Sequence, residues 1–356
     1  MRALQAAIAA ASTTRALHLQ VPCSKPLLSA FNPCFAARRN AVFSFAAGSS
    51  NSNSSARCNH RHFSSHPPPP LRHPNTPAAA AKTSGPEHMI SPPAAFDNLR
   101  SAILSRSSRP PLRIFASAIL AGGLLATSCS VVIAVVGGIP AAIGVQKLIA
   151  GLLFPAGLTM ILFLQADLLT SQMAHLALPR LMAASDPAAA HALPAARAAT
   201  MLSIVFTGNF IGSLAVAVAA APLLFAAAPY TAYAAAAAVA KTSLPWGVAF
   251  AKGIGANYLV NVAVFMAACA KTPGGKMAAL WLPIMSFVAL GLEHSVANMF
   301  IIPVGIFCGA DVAFADFVSA NLLPVALGNL VGALVFASHA LLHPLPPPVN
   351  SAHDKT

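Results

Sequence analysis

Glu293 and His294 stand side by side near the middle of an apolar run from Leu282 to Ile306. Ionisable groups at bilayer depth are costly, and the default reading of such a pair is functional. An imidazole can donate, accept or relay a proton. Burial disfavours its charged form, so His294 is expected to rest neutral. The plainer alternative is a histidine whose ring only satisfies a backbone carbonyl. Neighbouring helical residues point about 100° apart, so Glu293 is not expected to share the face of His294. Its expected task is tethering helices, through hydrogen bonds or a Lys/Arg partner. Ser295 and Asn298 follow closely and add polar side chains where backbone could unwind.

A second polar cluster, Gln165, Asp167, Thr170, Ser171 and Gln172, interrupts an earlier apolar run. Read as one helix, residues 148–184 would be about 55 Å long at ~1.5 Å per residue, against a bilayer core of ~30 Å. A break at Asp167-x-x-Thr170-Ser171 is therefore expected. Bare backbone at that depth is tolerated only where protein or a cavity satisfies it. Paired broken segments in the two halves of a chain are a sequence pointer to a central site. Phe154 and Leu158, four residues apart, share a helix face. Phe287 lies two turns before His294 if the helix continues. These rings are either plain core or the dry walls of a narrow pore. Lys241, expected at the start of the fourth span, either draws anions into a vestibule or snorkels to the interface. Lys252 is expected to reach a carboxylate or the headgroups. Asn257 is a buried amide that needs partners, and helix–helix bonding is its simplest use.

Several chemistries are excluded. No GxGxxG, Walker lysine, HExxH or GxSxG pattern occurs in a credible context, so no nucleotide-driven pump is expected. Six cysteines show neither a CxxC nor ligand spacing, and no metal, cofactor or disulfide framework is expected. The 356 residues are 57% hydrophobic and only 8% charged, against about 25% charged in soluble chains. A water-soluble enzyme, a coiled coil and a disordered scaffold are all ruled out by that balance. The net charge of +13 is concentrated in residues 1–86, which hold nine Lys/Arg and no acid. It is therefore no argument for a nucleic-acid partner.

The elements that must position these residues are membrane helices. Spans are expected near 113–136, 148–170, 199–222, 244–270, 281–306 and 318–342, each near or above the ~20 residues a crossing needs. Loop lysines and arginines count nine on the N-terminal side and two, Lys147 and Lys241, on the other. That bias supports an even number of spans with both termini on the positive side. Gly208-Asn209-Phe210-Ile211-Gly212-Ser213-Leu214 in the third span matches Gly328-Asn329-Leu330-Val331-Gly332-Ala333-Leu334 in the sixth. Three spans separate the copies, so they run in opposite directions, as in inverted-repeat transporters. Each contains GxxxG, which admits close helix approach. Residues 1–86 are rich in Ala, Ser, Arg and Pro and resemble an organellar transit peptide. The expected layout is a leader (1–86), an N-terminal segment (87–111), a membrane domain (112–343) and a Pro-rich tail (344–356).

The run Phe-Val-Ala-Leu-Gly-Leu-Glu-His-Ser-Val-Ala-Asn-Met-Phe-Ile-Ile-Pro-Val-Gly-Ile (287–306) resembles the signature of the formate/nitrite transporter family. Ala-Asp-Leu-Leu-Thr-Ser (166–171) resembles its second-span break. Lys-Gly-Ile-Gly-Ala-Asn-Tyr-Leu-Val (252–260) and Asn-Leu-Leu-Pro-Val-Ala-Leu-Gly-Asn (321–329) resemble its fourth- and sixth-span motifs. The likeness covers about residues 100–342. It implies an all-α, aquaporin-like fold of six transmembrane helices in an inverted 3+3 repeat, with broken second and fifth spans, assembled as a homopentamer. It makes His294 the central pore histidine with Thr170 opposite. It places Phe154, Leu158 and Leu168 at one hydrophobic constriction and Phe287 at the other. Lys241, Asn257 and Asn329 become polar pathway positions; Glu293, Asn298 and Asp167 remain structural supports. Leu169 departs from the pattern, where the break often has Phe.

The implied cargo is a small monovalent weak-acid anion travelling with a proton. Stripping a small anion of water costs of order 20 kcal/mol in the idealised limit. Protonating an acid of pKa ~3.5 at pH 7 costs only about 5 kcal/mol. Passage in proton-neutralised form between the two constrictions is therefore expected, through a protein embedded in membrane lipid and with no enzymatic step. A transit leader on such a core resembles the chloroplast-envelope nitrite transporters of algae, which implies nitrite import across the inner envelope; the mitochondrial inner membrane is the other location. Formate, short-chain monocarboxylate or hydrosulfide is the alternative cargo. Two other readings are an intramembrane acid–base enzyme using His294 and Glu293, and a neutral-solute channel, although the paired Asn-Pro-Ala boxes of the latter are absent.

Overall fold

The computed structural model describes residues 89–182 and 193–342. The leader (1–86) and the Pro-rich tail (344–356) lie outside the described residues. Among these, every regular element is helical apart from an isolated bridge between Met89 and Ala270. Helix α1 (Pro92–Ser107) precedes α2 (Pro111–Val136), α3 (Ile143–Leu153), α4 (Pro155–Phe163) and α5 (Leu169–Met182). Then come α6 (Ala195–Leu224), α7 (Tyr230–Thr242), α8 (Trp246–Cys269), α9 (Pro273–Ala289) and α10 (Ser295–Phe307). The last helix, α11, runs from Phe314 to Leu342 with a π turn at Phe317–Leu322. Proline opens α1, α2, α4 and α9 within their first two positions. A missing N–H costs nothing there, because that group has no intrahelical partner.

Among the described residues, five helical stretches are long and apolar enough to cross a membrane: Pro111–Val136, Ile143–Phe163 (α3 and α4 together), Ala195–Leu224, Trp246–Cys269 and Phe314–Leu342. The expected span 281–306 is instead divided between α9 and α10. Lys241 does not begin the fourth span as expected; it lies in the last turn of α7, a separate alanine-rich helix between α6 and α8. Alanine is weakly apolar, and its run around 234–238 did not stand out beside the Leu/Ile/Val-rich crossings. Helix α1 also went unforeseen. It docks through Phe96, which is buried with its ring 4.4 Å from that of Phe265 and 6.3 Å from that of Phe336. The Ile90 amide, just before it, donates to the Cys269 carbonyl at 2.7 Å.

The sequence repeat is a packing repeat. Helix α6 lies along α2, and α11 lies along α8. A Cβ on Gly212 would strike the Ile119 carbonyl oxygen, and one on Gly332 would strike that of Ile254. Both GxxxG segments are thus places where backbone meets backbone with no room for a side chain.

Candidate functional site

The two breaks lie at 164–168 and 290–294, and they are built alike. Each turns through a left-handed residue, Gln165 (φ 51°) in the first and Gly291 (φ 67°) in the second. Glycine takes that conformation without the Cβ penalty that Gln165 bears. Each break ends at a new helix whose first amide needs an acceptor. The Leu169 amide donates to Asn209 Oδ1 at 2.8 Å, and the Ser295 amide to Asn329 Oδ1 at 2.9 Å. Asn209 Nδ2 donates to the carbonyls of Ala118 (2.7 Å) and Asp167 (3.0 Å). Asn329 Nδ2 donates to those of Gly253 (2.8 Å) and Glu293 (3.0 Å). One carboxamide from the repeated Gly-Asn pair thus ties each break to its own half, satisfying backbone that no water could reach.

An acid sits one residue before the end of each break, and the two are held unequally. Lys241 Nζ lies 3.0 Å from both oxygens of Glu293. Asn298 Nδ2 donates to Glu293 Oε2 at 2.7 Å, and Asn321 Nδ2 lies 3.4 Å from the same atom. Asp167 accepts from Gln172 Nε2 at 2.9 Å, while the guanidiniums of Arg106 and Arg109 stand off at 3.7 and 3.8 Å. Its Oδ2 makes no hydrogen bond. Lys241→Met would leave a buried carboxylate without its counter-ion, a change that costs about 3–5 kcal/mol in buried pairs. The Lys241 side chain keeps 19% exposure, which places the expected loss at the lower end. Thermal unfolding in detergent should show it, and Glu293→Gln in the same chain should recover most of the loss. An unchanged melting temperature in the single variant would contradict this account.

His294 caps α10, its Nδ1 accepting from the Ala297 amide at 3.2 Å. The proton of a neutral ring therefore belongs on Nε2, 2.9 Å from Thr170 Oγ1 at the start of α5. That contact joins the two breaks across the middle of the molecule. Phe287 lies against His294, with ring centroids 5.9 Å apart and planes inclined by 27°. Phe154 meets Phe287 edge-on at 5.4 Å.

Two cavities approach this centre. One, of about 360 Å³, is lined by Lys147, Phe154, Lys241, Phe287 and His294. The other, of about 490 Å³, is lined by Arg106, Arg109, Leu158, Ser171, Lys271 and Lys276. Leu168 is buried and borders neither. Phe154 lies beside Phe287 on one cavity, and Leu158 borders the other. Residues four apart in a helix share a face, but they are also ~6 Å apart along the axis. That rise carries Phe154 to one cavity and Leu158 to the other. Pro155 aids the separation by interrupting the helix between them, and Ser128 Oγ donates to the Phe154 carbonyl at 2.8 Å.

Residues 93–342 match the family profile described as Formate/nitrite transporter. The chain belongs to the formate/nitrite transporter family. It is similar to a probable formate transporter of Methanothermobacter thermautotrophicus, 35% identical over 266 residues, covering 67% of this chain and 91% of that one. It is also similar to the formate channel FocA of Haemophilus influenzae, 30% identical over 275 residues, covering 69% and 91%. Among solved structures, an FNT family ion channel superposes with a TM-score of 0.63 at 24% identity, covering 71% of this chain and 99% of that one, which establishes the fold. A pentameric formate channel with formate bound gives 0.56 at 28% identity, covering 65% and 96%.

Within this formate/nitrite transporter fold, sequence reasoning passed over four contributors to the centre. Asn209 stood in the repeat motif but was not singled out as a site residue. Asn321 lies within the sixth-span motif; its Oδ1 accepts from Asn298 Nδ2 at 2.7 Å and its Nδ2 donates to the Lys241 carbonyl at 2.9 Å. Arg106 and Arg109 are two of the nine basic residues on the N-terminal side, and no signal in the sequence ties them to Asp167. Asn257 donates to the carbonyls of Asn329 (2.7 Å) and Thr170 (3.2 Å), so its reach extends from the last span of the second half to the break of the first.

Proposed function

We propose that this protein carries a small monovalent weak-acid anion across a membrane, crossing the centre as the neutral acid. The contact between Thr170 and His294 carries the reading. It sets one donor–acceptor pair beside the rings of Phe287 and Phe154. Cationic residues border both approach cavities and draw anions toward them. An unprotonated anion would lose its hydration at the aromatic pair for little return, whereas a protonated one needs only ordinary hydrogen-bond partners.

Helices α9 and α10 together supply the sixth crossing. Five copies assemble around a common axis, each with its own pore, as the name of the pentameric formate channel neighbour suggests. Nitrite is the cargo we favour and a chloroplast inner envelope the location, on the basis of the acid-free Arg/Ser-rich segment 1–86. Formate is the second reading, favoured by relatives named as formate transporters and channels. The chain's work is transport, with no enzymatic turnover.

The test is nitrite uptake into proteoliposomes, with and without an inward proton gradient, with formate as competitor. The neutral fraction of an acid of pKa ~3.5 rises about tenfold for each unit that pH falls toward that value. Uptake should therefore rise as the outside is acidified. Strong competition by formate would transfer the cargo to formate; no uptake of either anion by assembled protein would overturn the proposal.

A further inference from the structure

Asn261 lies one helical turn beyond Asn257 on α8 and is buried, 2% exposed, beside fully buried Asn257. Its Nδ2 donates to the Asn257 carbonyl at 2.8 Å and lies 3.1 Å from Asn257 Oδ1. The same nitrogen lies 3.5 Å from the Thr170 carbonyl. Two amides in such a place invite the question of what fixes their orientation. A carboxamide has one acceptor end and one donor end, and it can be turned end for end at little steric cost. Asn257 is useful to the centre only with Nδ2 toward the carbonyls of Asn329 and Thr170. Asn261 holds it that way: its own Nδ2 is fixed by the Asn257 and Thr170 carbonyls, and a donor so placed can bond only the oxygen end of Asn257.

The internal repeat shows that the pair answers to more than packing. Asn209 bonds the Ala118 carbonyl as Asn329 bonds that of Gly253. Counting four residues along each helix from these carbonyls, Gly122 stands where Asn257 does, and Ala126 where Asn261 does. At Gly122 the backbones touch directly, and a Cβ would strike the Asn209 carbonyl oxygen. The first half thus closes this helix contact without any amide. The second half spends two buried amides here, and both are directed at Thr170, which belongs to the opposite half.

We propose that Asn261 is a positioning residue for the transport pathway. Acting through Asn257, it holds the start of α5 so that Thr170 Oγ1 stays within reach of His294 Nε2. This rests on the transport reading above. Asn261 does not meet the passing solute, and its effect is on the register of Thr170 alone.

The test is Asn261→Val, of similar bulk but without the amide, beside Asn261→Gln, which retains a donor. Maximal anion uptake should fall about tenfold in the valine variant, with a shifted half-saturation concentration and an altered pH profile. The glutamine variant should regain a substantial part of that loss. In a Thr170→Val background the same Asn261→Val change should have less than a twofold further effect, because its target is already gone. A structural role alone would lower yield and thermal stability while leaving half-saturation and pH profile at wild-type values. That result, or full additivity with Thr170→Val, would overturn the proposal. Should Asn261→Val not assemble, Asn261→Ser carries the same test, since serine keeps the bond to the Asn257 carbonyl but cannot span to its Oδ1. Wild-type protein that moves no anion would instead count against the transport reading itself.

Discussion

Replacing His294 by asparagine is expected to leave the protein assembled and to lower proton-driven anion uptake at least tenfold. The two uses of the imidazole can be separated. Its Nδ1 caps α10 through the Ala297 amide, and its Nε2 meets Thr170 Oγ1 at 2.9 Å. Asparagine is among the best residues for capping a helix N-terminus, so the first use survives. Its side chain is too short for the second. A buried hydrogen bond is worth about 1 kcal/mol net, rising to about 1.5–3 where one partner is charged, and ~1.4 kcal/mol is a factor of ten. Thr170→Val removes the same contact from the other side and leaves the cap untouched. It should lower uptake comparably, and the double variant should be little worse than either single one. Proton coupling at wild-type strength in assembled His294→Asn protein would remove the histidine from the transport step. The proton would then reach the anion from bulk water as hydration is lost.

Asn329→Leu is expected to prevent stable assembly, and Asn209→Leu should do the same in the other half. In each case one carboxamide serves a helix start and the break before it. Without Asn329, the Ser295 amide and the Glu293 carbonyl lose their partners at 2.9 and 3.0 Å. Without Asn209, the Leu169 amide and the Asp167 carbonyl are stranded in the same way. Each orphaned buried group costs about 1–3 kcal/mol, so either substitution forfeits about 2–6 kcal/mol. That is a large share of the ~5–15 kcal/mol by which a typical domain is stable. Leucine keeps the branching of asparagine but removes its donors and acceptor; Asn329→Asp and Asn209→Asp, which keep the acceptor at asparagine's size, separate lost hydrogen bonds from added bulk. Size-exclusion profiles and melting temperatures in detergent report it. A leucine variant that elutes and melts like the parent would show that the breaks are held by something other than these amides.

Much of this arrangement could be read from the chain alone, for identifiable reasons. The 8% of charged residues demanded a membrane. The length of the run through Gln165 and Gln172 demanded a break, since no single helix of that length fits a bilayer. The doubled Gly-Asn-x-x-Gly announced two matching helix contacts, because only glycine admits a carbonyl that close. These are properties of local pattern and length, which a sequence carries directly. Helix α7 was missed because alanine hardly registers as apolar, and α1 because its docking depends on Phe96 meeting rings from α8 and α11.

Partnerships across the fold were decided elsewhere. Nothing near Glu293 in the chain names Lys241 as its counter-ion, and nothing near Asp167 names Arg106 or Arg109. Phe154 and Leu158 share a helix face, yet rise along the axis sets them beside different cavities. Helical periodicity specifies direction around an axis. It is silent on which distant helix will stand opposite, and at what height. Residue types and spacings therefore determined that this chain crosses a membrane, breaks in its second apolar run and sets Glu293 and His294 within another. That Thr170 stands opposite that histidine was implied by the family resemblance and not by residue types or spacing; the packing of the two halves sets the 2.9 Å contact itself, since contact between residues so far apart in the chain depends on where backbone can approach backbone.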